Sequence, residues 1–166
     1  MGIFDKINEA DYFEGGKYFT PGLYKVAVLR VKQGKTRKGR PFFVVETKIQ
    51  ESSNLKEHPI DTDASWMVML DQDAALGNVK HFISVASDTP INQVQAADAE
   101  DACSESNPLA GIELRAMAVN IKTRADKDFT KMKWMPASMS AADAAKEHAE
   151  EVASEAAPAA AASATV

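Results

Sequence analysis

Residues 17–56 read KYFTPGLYKVAVLRVKQGKTRKGRPFFVVETKIQESSNLK and are the most strongly patterned part of the chain. Two strand-like runs, residues 23–32 and 41–49, flank a short basic connection at residues 33–40. That connection has glycine at both of its bends and carries four cations: Lys35, Arg37, Lys38 and Arg40. Ten lysines and arginines stand against two glutamates here, a net charge of +8 within a chain of net charge −5. The pattern predicts a cationic β-hairpin in an otherwise acidic molecule, and such a basic feature is typical of a nucleic-acid surface.

The first strand-like run contains a break in its alternation. Tyr24, Val26 and Val28 share one face, but the pattern then slips by one residue, and Leu29 and Val31 become the apolar pair. Side chains of a strand alternate with period two, so a slip in mid-strand predicts a β-bulge. A bulged, strongly bent strand is what a small closed barrel requires.

The second strand-like run alternates without a break and divides into two faces. One face is predicted to point into the core: Phe43, Val45, Thr47 and Ile49. The other carries an aromatic and two charges: Phe42, Val44, Glu46 and Lys48. Two interpretations of Phe42 stay open, since its ring would either stack against a base or cover the end of a barrel.

The elements after residue 60 follow in a definite order. A third strand is predicted at residues 66–70, and a helix begins near Ala74 with Asp71 or Asp73 as its cap. Helical spacing places these side chains on its buried face: Leu76, Val79, Phe82 or Ile83, and Ala86. An acidic connection with a helical turn near residues 94–102 leads to strands at 112–123, with a second slip after Ala116, and at 129–135.

This order of strand, strand, strand, helix, strand, strand predicts a mainly β fold. It is the order of the OB-fold, a five-stranded Greek-key barrel with one helix between strands three and four, whose sheet face and loops bind single strands or sugars. The basic connection at residues 33–40 and the charged turn at 124–128 are where that fold has its ligand-binding loops. We therefore expect an acidic leader at residues 1–16, a nucleic-acid-binding domain at 17–138 and a flexible, disordered acidic Ala-rich tail at 139–166.

The same residues carry a family resemblance. The run TPGLYKVAVLRVKQGKTRKGRPFFVVETKI, followed by SWMVML, a helix and an acidic tail, resembles bacteriophage single-stranded DNA-binding proteins of the OB type over residues 18–136. The resemblance implies that basic loops and exposed aromatics hold single strands, and that an acidic tail recruits replication or recombination proteins. The tail departs from the common bacterial version, because it ends Ser-Ala-Thr-Val rather than in acids capped by an aromatic.

Candidate nucleic-acid contacts follow from these patterns. The cations are Lys25, Lys32, Lys35, Arg37, Lys38, Arg40, Lys48, Lys122, Arg124, Lys131 and Lys133, and the aromatics are Phe42, Trp66 and Trp134. The hairpin cations either contact phosphates or only solubilise a turn, and phosphate contact is the interpretation we favour. For the two tryptophans we favour a core position over base stacking, because barrels need large inward residues. The acidic tail either solubilises, competes with DNA for the basic groove, or binds a basic partner.

Catalytic and metal-binding motifs are missing from the sequence. There is no Gly-x-Ser-x-Gly, phosphate-cradling glycine loop or dinucleotide fingerprint, and the three histidines show no metal spacing with Cys103. Cys103 lies among acids, which predicts a raised thiol pKa. We expect a protein that is not an enzyme and needs no cofactor or metal. The lone cysteine and the absence of a signal pattern or membrane-length apolar run predict a cytoplasmic protein without a membrane partner.

Two functions are therefore considered. The first is a non-catalytic, largely sequence-independent single-stranded DNA-binding protein that protects or organises single strands in phage replication or recombination, with RNA an open alternative. The second is a phage structural or protein-interaction module whose basic hairpin docks an acidic partner. The sequence predicts no oligomeric state.

Overall fold

The computed structural model describes residues 17–122 and 128–164, without the side chains of residues 122, 128, 129 and 154–164. Within those residues the chain forms six strands and three α-helices. The strands are β1 (Lys17–Tyr18), β2 (Gly22–Lys35), β3 (Pro41–Ser52), β4 (Asp63–Met69), β5 (Glu113–Lys122) and β6 (Asp128–Pro136). The helices are α1 (Ala75–Ser87), α2 (Ala96–Ala102) and α3 (Ala141–Ala164). In the described part of the chain, none of these helices is both long and apolar enough to cross a membrane.

The six strands form one mixed sheet in the order β1-β4-β3-β2-β5-β6. All neighbours are antiparallel except β1 and β4, which are parallel. Three strands separate β4 from β6 in this order, yet the rings of Trp66 and Trp134 on those two strands lie 5.6 Å apart. The sheet therefore curls into a half-barrel around an aromatic core, and the prediction of a mainly β, barrel-like fold is confirmed. Five strands were predicted, and the sixth is β1, whose two residues are too short to show an alternation.

The bulge predicted in the first long strand is confirmed. The register between β2 and β3 shifts between Val28 and Arg30, so Leu29 has no opposite residue. Beyond this point β2 loses its second neighbour, because the ladder with β5 ends at Ala27. The side chain of Asn107 replaces the missing strand: its Oδ1 accepts from Val31 N at 2.7 Å and its Nδ2 donates to Val31 O at 2.8 Å.

The second slip, after Ala116, has a different cause and is not a bulge. β5 and β6 pair without a register shift from Leu114 opposite Pro136 to Lys122 opposite Asp128. Consecutive residues of β5 are apolar because both faces of the strand are covered. Ala116 faces the aromatic core, whereas Met117 packs with Ala144 of α3 in a second apolar cluster.

The C-terminal segment differs from the predicted flexible, disordered tail. The backbone is helical from Ala141 to Ala164, and this helix packs on β5 and β2. Ala144 is fully buried, and Arg115 of β5 donates from Nε to the Met139 carbonyl at 2.7 Å, which fixes the start of the helix. The helix formers at residues 141–152 predicted only a transient helix, because the segment offers little apolar surface, but small side chains also let a helix approach a sheet closely.

The connection between β4 and β5 contains the predicted helix and, as predicted near residues 94–102, a second short helical segment. A 3₁₀ turn (Ile91–Gln93) and α2 follow α1. Val79, Phe82 and Ile83 of α1 are buried as predicted, but Leu76 is 66% exposed. Neither predicted aspartate caps the helix, because no side chain bonds its N-terminal amides and Asp71 is engaged elsewhere.

Candidate nucleic-acid interface

The loop between β2 and β3 is a hydrogen-bonded turn rather than an open connection. Gly39 N donates to Thr36 O at 2.8 Å, and Thr36 N donates to Arg40 O at 2.9 Å. Gly39 has φ +79°, so the loop is a three-residue hairpin turn whose last residue is left-handed, the conformation that glycine adopts at least cost. Arg37 and Lys38 occupy the tip and are exposed, as is Lys35 at the end of β2.

Gly34, predicted to be a bend, lies inside β2 and has another role. It stands opposite Phe42, and a Cβ built on it would lie 2.8 Å from Phe42 Cζ. The ring therefore lies across the glycine, and only a residue without a side chain allows this contact. Phe42 is 5% exposed, so its ring does not present a free stacking face. Of the two interpretations of Phe42, the structure supports packing against the barrel.

Arg40 connects the hairpin to the turn that follows β4. Its Nε and Nη2 donate to Asp71 Oδ2 and Oδ1 at 2.8 and 3.0 Å, a bidentate pair. The hydrogen bonds raise the pKa of Arg40 and lower the pKa of Asp71. Arg40 is thus a positioning residue for the hairpin, and its charge is shared with an aspartate.

The outer face of the sheet, opposite the aromatic core, is defined by the strand registers. Residues directly opposite one another share a face. One row across four strands consists of Tyr18 (β1), Ser65 (β4), Glu46 (β3) and Arg30 (β2). The next rows toward the hairpin are Met67, Val44 and Lys32, and then Met69, Phe42 and Gly34. We call this surface the outer face; the predicted second face of β3 lies on it.

The outer face carries cations of two kinds. Lys32 Nζ lies 3.1 Å from Glu46 Oε1, so part of its charge is neutralised. Arg30 and Lys48 are exposed and form no ion pair with the residues described. The same is true of Lys35, Arg37 and Lys38, again counting only residues 17–122 and 128–164. Among the described residues, these five cations of the outer face and the hairpin have no ion-pair partner and are available to an anionic ligand.

Tyr18 is the exposed aromatic of the outer face, and sequence reasoning missed it. Its side chain is 50% exposed, and its hydroxyl lies 3.9 Å from Met67 Sδ. The neighbouring Phe19 points the other way and is buried. The sequence offers only two neighbouring aromatics, Tyr18 and Phe19, just before the Pro-Gly turn. Two residues are too few to show which of them faces the core. Arg30 was also missed, because the bulge at Leu29 alters the face on which it lies.

Two groups of predicted cations are held by acids away from the hairpin. Lys25 Nζ lies 3.6 Å from Glu113 Oε2 and 3.9 Å from Glu51 Oε2, on the part of β2 farthest from the turn. On β6, Lys131 Nζ lies 2.5 Å from Glu151 Oε1, and Lys133 Nζ lies 3.2 Å from Glu147 Oε2. Lys131 is the main reason that the pKa of Glu151 is lowered. Of the predicted cations, the structure therefore places Lys32, Lys35, Arg37, Lys38 and Arg40 at or beside the hairpin and sets Lys25, Lys131 and Lys133 apart. Lys48 shares the outer face but lies opposite Ala27, toward the other end of β3.

The two tryptophans belong to the core, as favoured from the sequence. Trp134 is 1% exposed and Trp66 is 9% exposed, and both rings contact Phe82 at centroid distances of 5.0 and 5.8 Å. Trp66 has one edge in a groove between β4 and β6. Arg124 and the side chain of Lys122 lie outside the described residues, and so does most of the turn at 124–128 that was expected to form the second ligand-binding loop.

Burial shifts the pKa of one thiol and two histidines toward their neutral forms. Burial raises the pKa of the Cys103 thiol to about 11, so desolvation rather than its acidic neighbours is the cause. Burial lowers the pKa of His58 and of His81, and each ring accepts a backbone N–H at Nε2, from Thr20 at 3.1 Å and from Trp134 at 3.3 Å. Among the described residues no three histidine, cysteine or carboxylate side chains gather as metal ligands would.

Comparison with protein-family models and with curated protein sequences finds no match to this chain in either set.

Proposed function

We propose that this protein is a non-catalytic single-stranded DNA-binding protein of the OB type, and that the strand crosses the outer face from Tyr18 to the β2–β3 hairpin. The element order supports the OB assignment: β2, β3 and β4 form a meander, β5 returns beside β2, and β5 and β6 form a hairpin after α1. The likeness to bacteriophage proteins of this type supports the same proposal and favours a role in replication or recombination.

One observation carries the proposal: an exposed tyrosine and an exposed arginine end the same row of the outer face, beside a hydrogen-bonded cationic turn. Tyr18 and Arg30 stand three strand spacings apart, roughly 14 Å. From that row to the tip at Arg37 the chain advances about seven residues, roughly 23 Å of strand. Cations along a groove with an aromatic for base stacking are the recurring means of holding single strands without sequence preference.

Anisotropy of labelled oligothymidine, with duplex DNA and RNA of equal length as competitors, tests the proposal. We expect the single strand to bind at low salt and to compete better than the duplex. Lys35→Glu, Arg37→Glu and Lys38→Glu together should abolish binding while circular dichroism stays unchanged. The matched control reverses three other exposed lysines without a described ion pair: Lys56, Lys80 and Lys146.

The control has the same net charge as the hairpin variant, so equal losses in both would show only general repulsion. If no strand binds even at low salt, the proposal is wrong. The alternative, a phage structural or interaction module that docks an acidic protein, would then be favoured by strong heparin binding that the hairpin variant loses.

A further inference from the structure

A groove runs between β4 and β6, where the half-barrel is open. Its volume is about 450 Å³, within the range of about 300–1,000 Å³ that small-molecule sites have. The larger apolar residues of its lining are Trp66, Met67, Val68, Met69 and Met132. The polar part consists of Gln72, Asp73, Asn78, Thr130 and Lys131. An apolar floor with a few converging polar groups is the usual form of a ligand site.

Four of the polar side chains have no hydrogen-bond or ion-pair partner among the described residues: Gln72, Asp73, Asn78 and Thr130. These residues line the groove, and their amide, carboxylate and hydroxyl groups are available to a ligand bound there. Asp73 and the two amides offer acceptors on the same side of the groove, because they belong to one segment, the β4–α1 turn and the first turns of α1.

The groove adjoins the proposed strand path at both ends. Tyr18 and Met67 line a smaller cleft that shares Trp66, Thr130 and Met132 with the groove. At the other end Gln72 directly follows Asp71, the residue that holds Arg40 of the hairpin. A strand that lies on the outer face between Tyr18 and the hairpin thus passes the mouth of the groove.

We propose that the groove receives one unstacked base of the bound strand and prefers a base with an exocyclic amine (adenine, cytosine or guanine) over thymine. The inference rests on the proposed function. Thioethers and an indole edge suit the π-face of a base, since methionine sulfur is polarisable and adapts to aromatic rings. A carboxylate accepts from the amino group of cytosine, and Asn or Gln pairs with the adenine edge. Thymine has no exocyclic amine, so it leaves the Asp73 acceptor unpaired.

The test compares short strands of abasic sites with the same strand carrying one central adenine or one central thymine. We expect the adenine strand to bind about tenfold more tightly than the wholly abasic strand, in line with the usual effect of one stacked base. Thymine should give a markedly smaller gain. Only the adenine strand should strongly change the tryptophan emission, because Trp66 lines the groove and Trp134 does not.

Asn78→Leu is the matching variant, since leucine has the shape of asparagine, lacks its amide and is a good helix former. It should remove most of the adenine gain without changing the affinity for the abasic strand. Asn92→Leu, at an exposed position of the 3₁₀ turn away from the groove, should leave the gain intact.

The outcomes separate the two proposals. Equal affinity for the adenine and abasic strands would overturn the base site and leave backbone binding standing. Equal gains from adenine and thymine would overturn the amine preference. Failure of all three strands to bind would remove the proposed function together with the base site.

Discussion

Neutralising the hairpin tip should change the salt dependence of binding by an amount that the structure specifies. Five cations of the outer face and hairpin form no ion pair in the described part of the chain: Arg30, Lys35, Arg37, Lys38 and Lys48. If each meets one phosphate, the affinity for a single strand falls with salt at a logarithmic slope of about −3.5. A fourfold rise in salt then weakens binding roughly 130-fold.

The variant with Lys35→Gln, Arg37→Gln and Lys38→Gln keeps two of these contacts. Its slope should drop to about −1.4, so the same rise in salt weakens binding only roughly sevenfold. Anisotropy titrations of oligothymidine at several salt concentrations measure both slopes. The variant with Lys56→Gln, Lys80→Gln and Lys146→Gln has the same net charge and should keep the steep slope. A hairpin variant with an unchanged slope would refute the assignment of these cations to phosphates.

Other predictions concern stability and the C-terminal helix. Asn107→Ala should lower the free energy of unfolding, measured in urea, by about 2–3 kcal/mol, because it leaves the Val31 N–H and C=O without partners. A loss under about 0.5 kcal/mol would show that the Asn107 amide does not replace the hydrogen bonds of a neighbouring strand. Folding lowers the pKa of His58 and His81 below that of a histidine in the unfolded chain, about 6.5. Below that pH the unfolded chain therefore binds more protons than the folded protein. The melting temperature should be constant above about pH 6.5 and fall as the pH drops below it. A melting temperature that rises on acidification would contradict this sign. Glu147→Gln with Glu151→Gln should strengthen single-strand binding about threefold if β6 takes part, by removing the acids that pair with Lys133; unchanged affinity would exclude β6 from the binding surface.

Much of the fold was predictable because strand periodicity reports one buried face directly. The slip after Val28 identified a bulge, and the alternation from Phe43 to Ile49 identified the core face of β3. The same reasoning was wrong at Met117, where a second layer buries the other face of β5. Periodicity does not distinguish a bulge from two-sided burial, since both place apolar residues side by side.

The sequence predicted where the cations of the candidate site lie, but not which acidic side chains pair with them. The turn cations could be located because glycine and basic residues cluster at residues 33–40. The acids that hold Arg40, Lys131 and Lys133 come from distant parts of the chain, so no local pattern revealed them. Tyr18 was missed for a similar reason, because its place on the outer face depends on a parallel pairing with Ser65, far along the chain.

The most direct measurement is a map of backbone amide chemical shifts in the labelled protein as oligothymidine is added. The proposal predicts the largest changes at residues 36–40, at Tyr18 and at Arg30, with α2 unaffected. Changes confined to α1 and α2, with residues 36–40 unmoved at saturation, would contradict a strand held on the outer face.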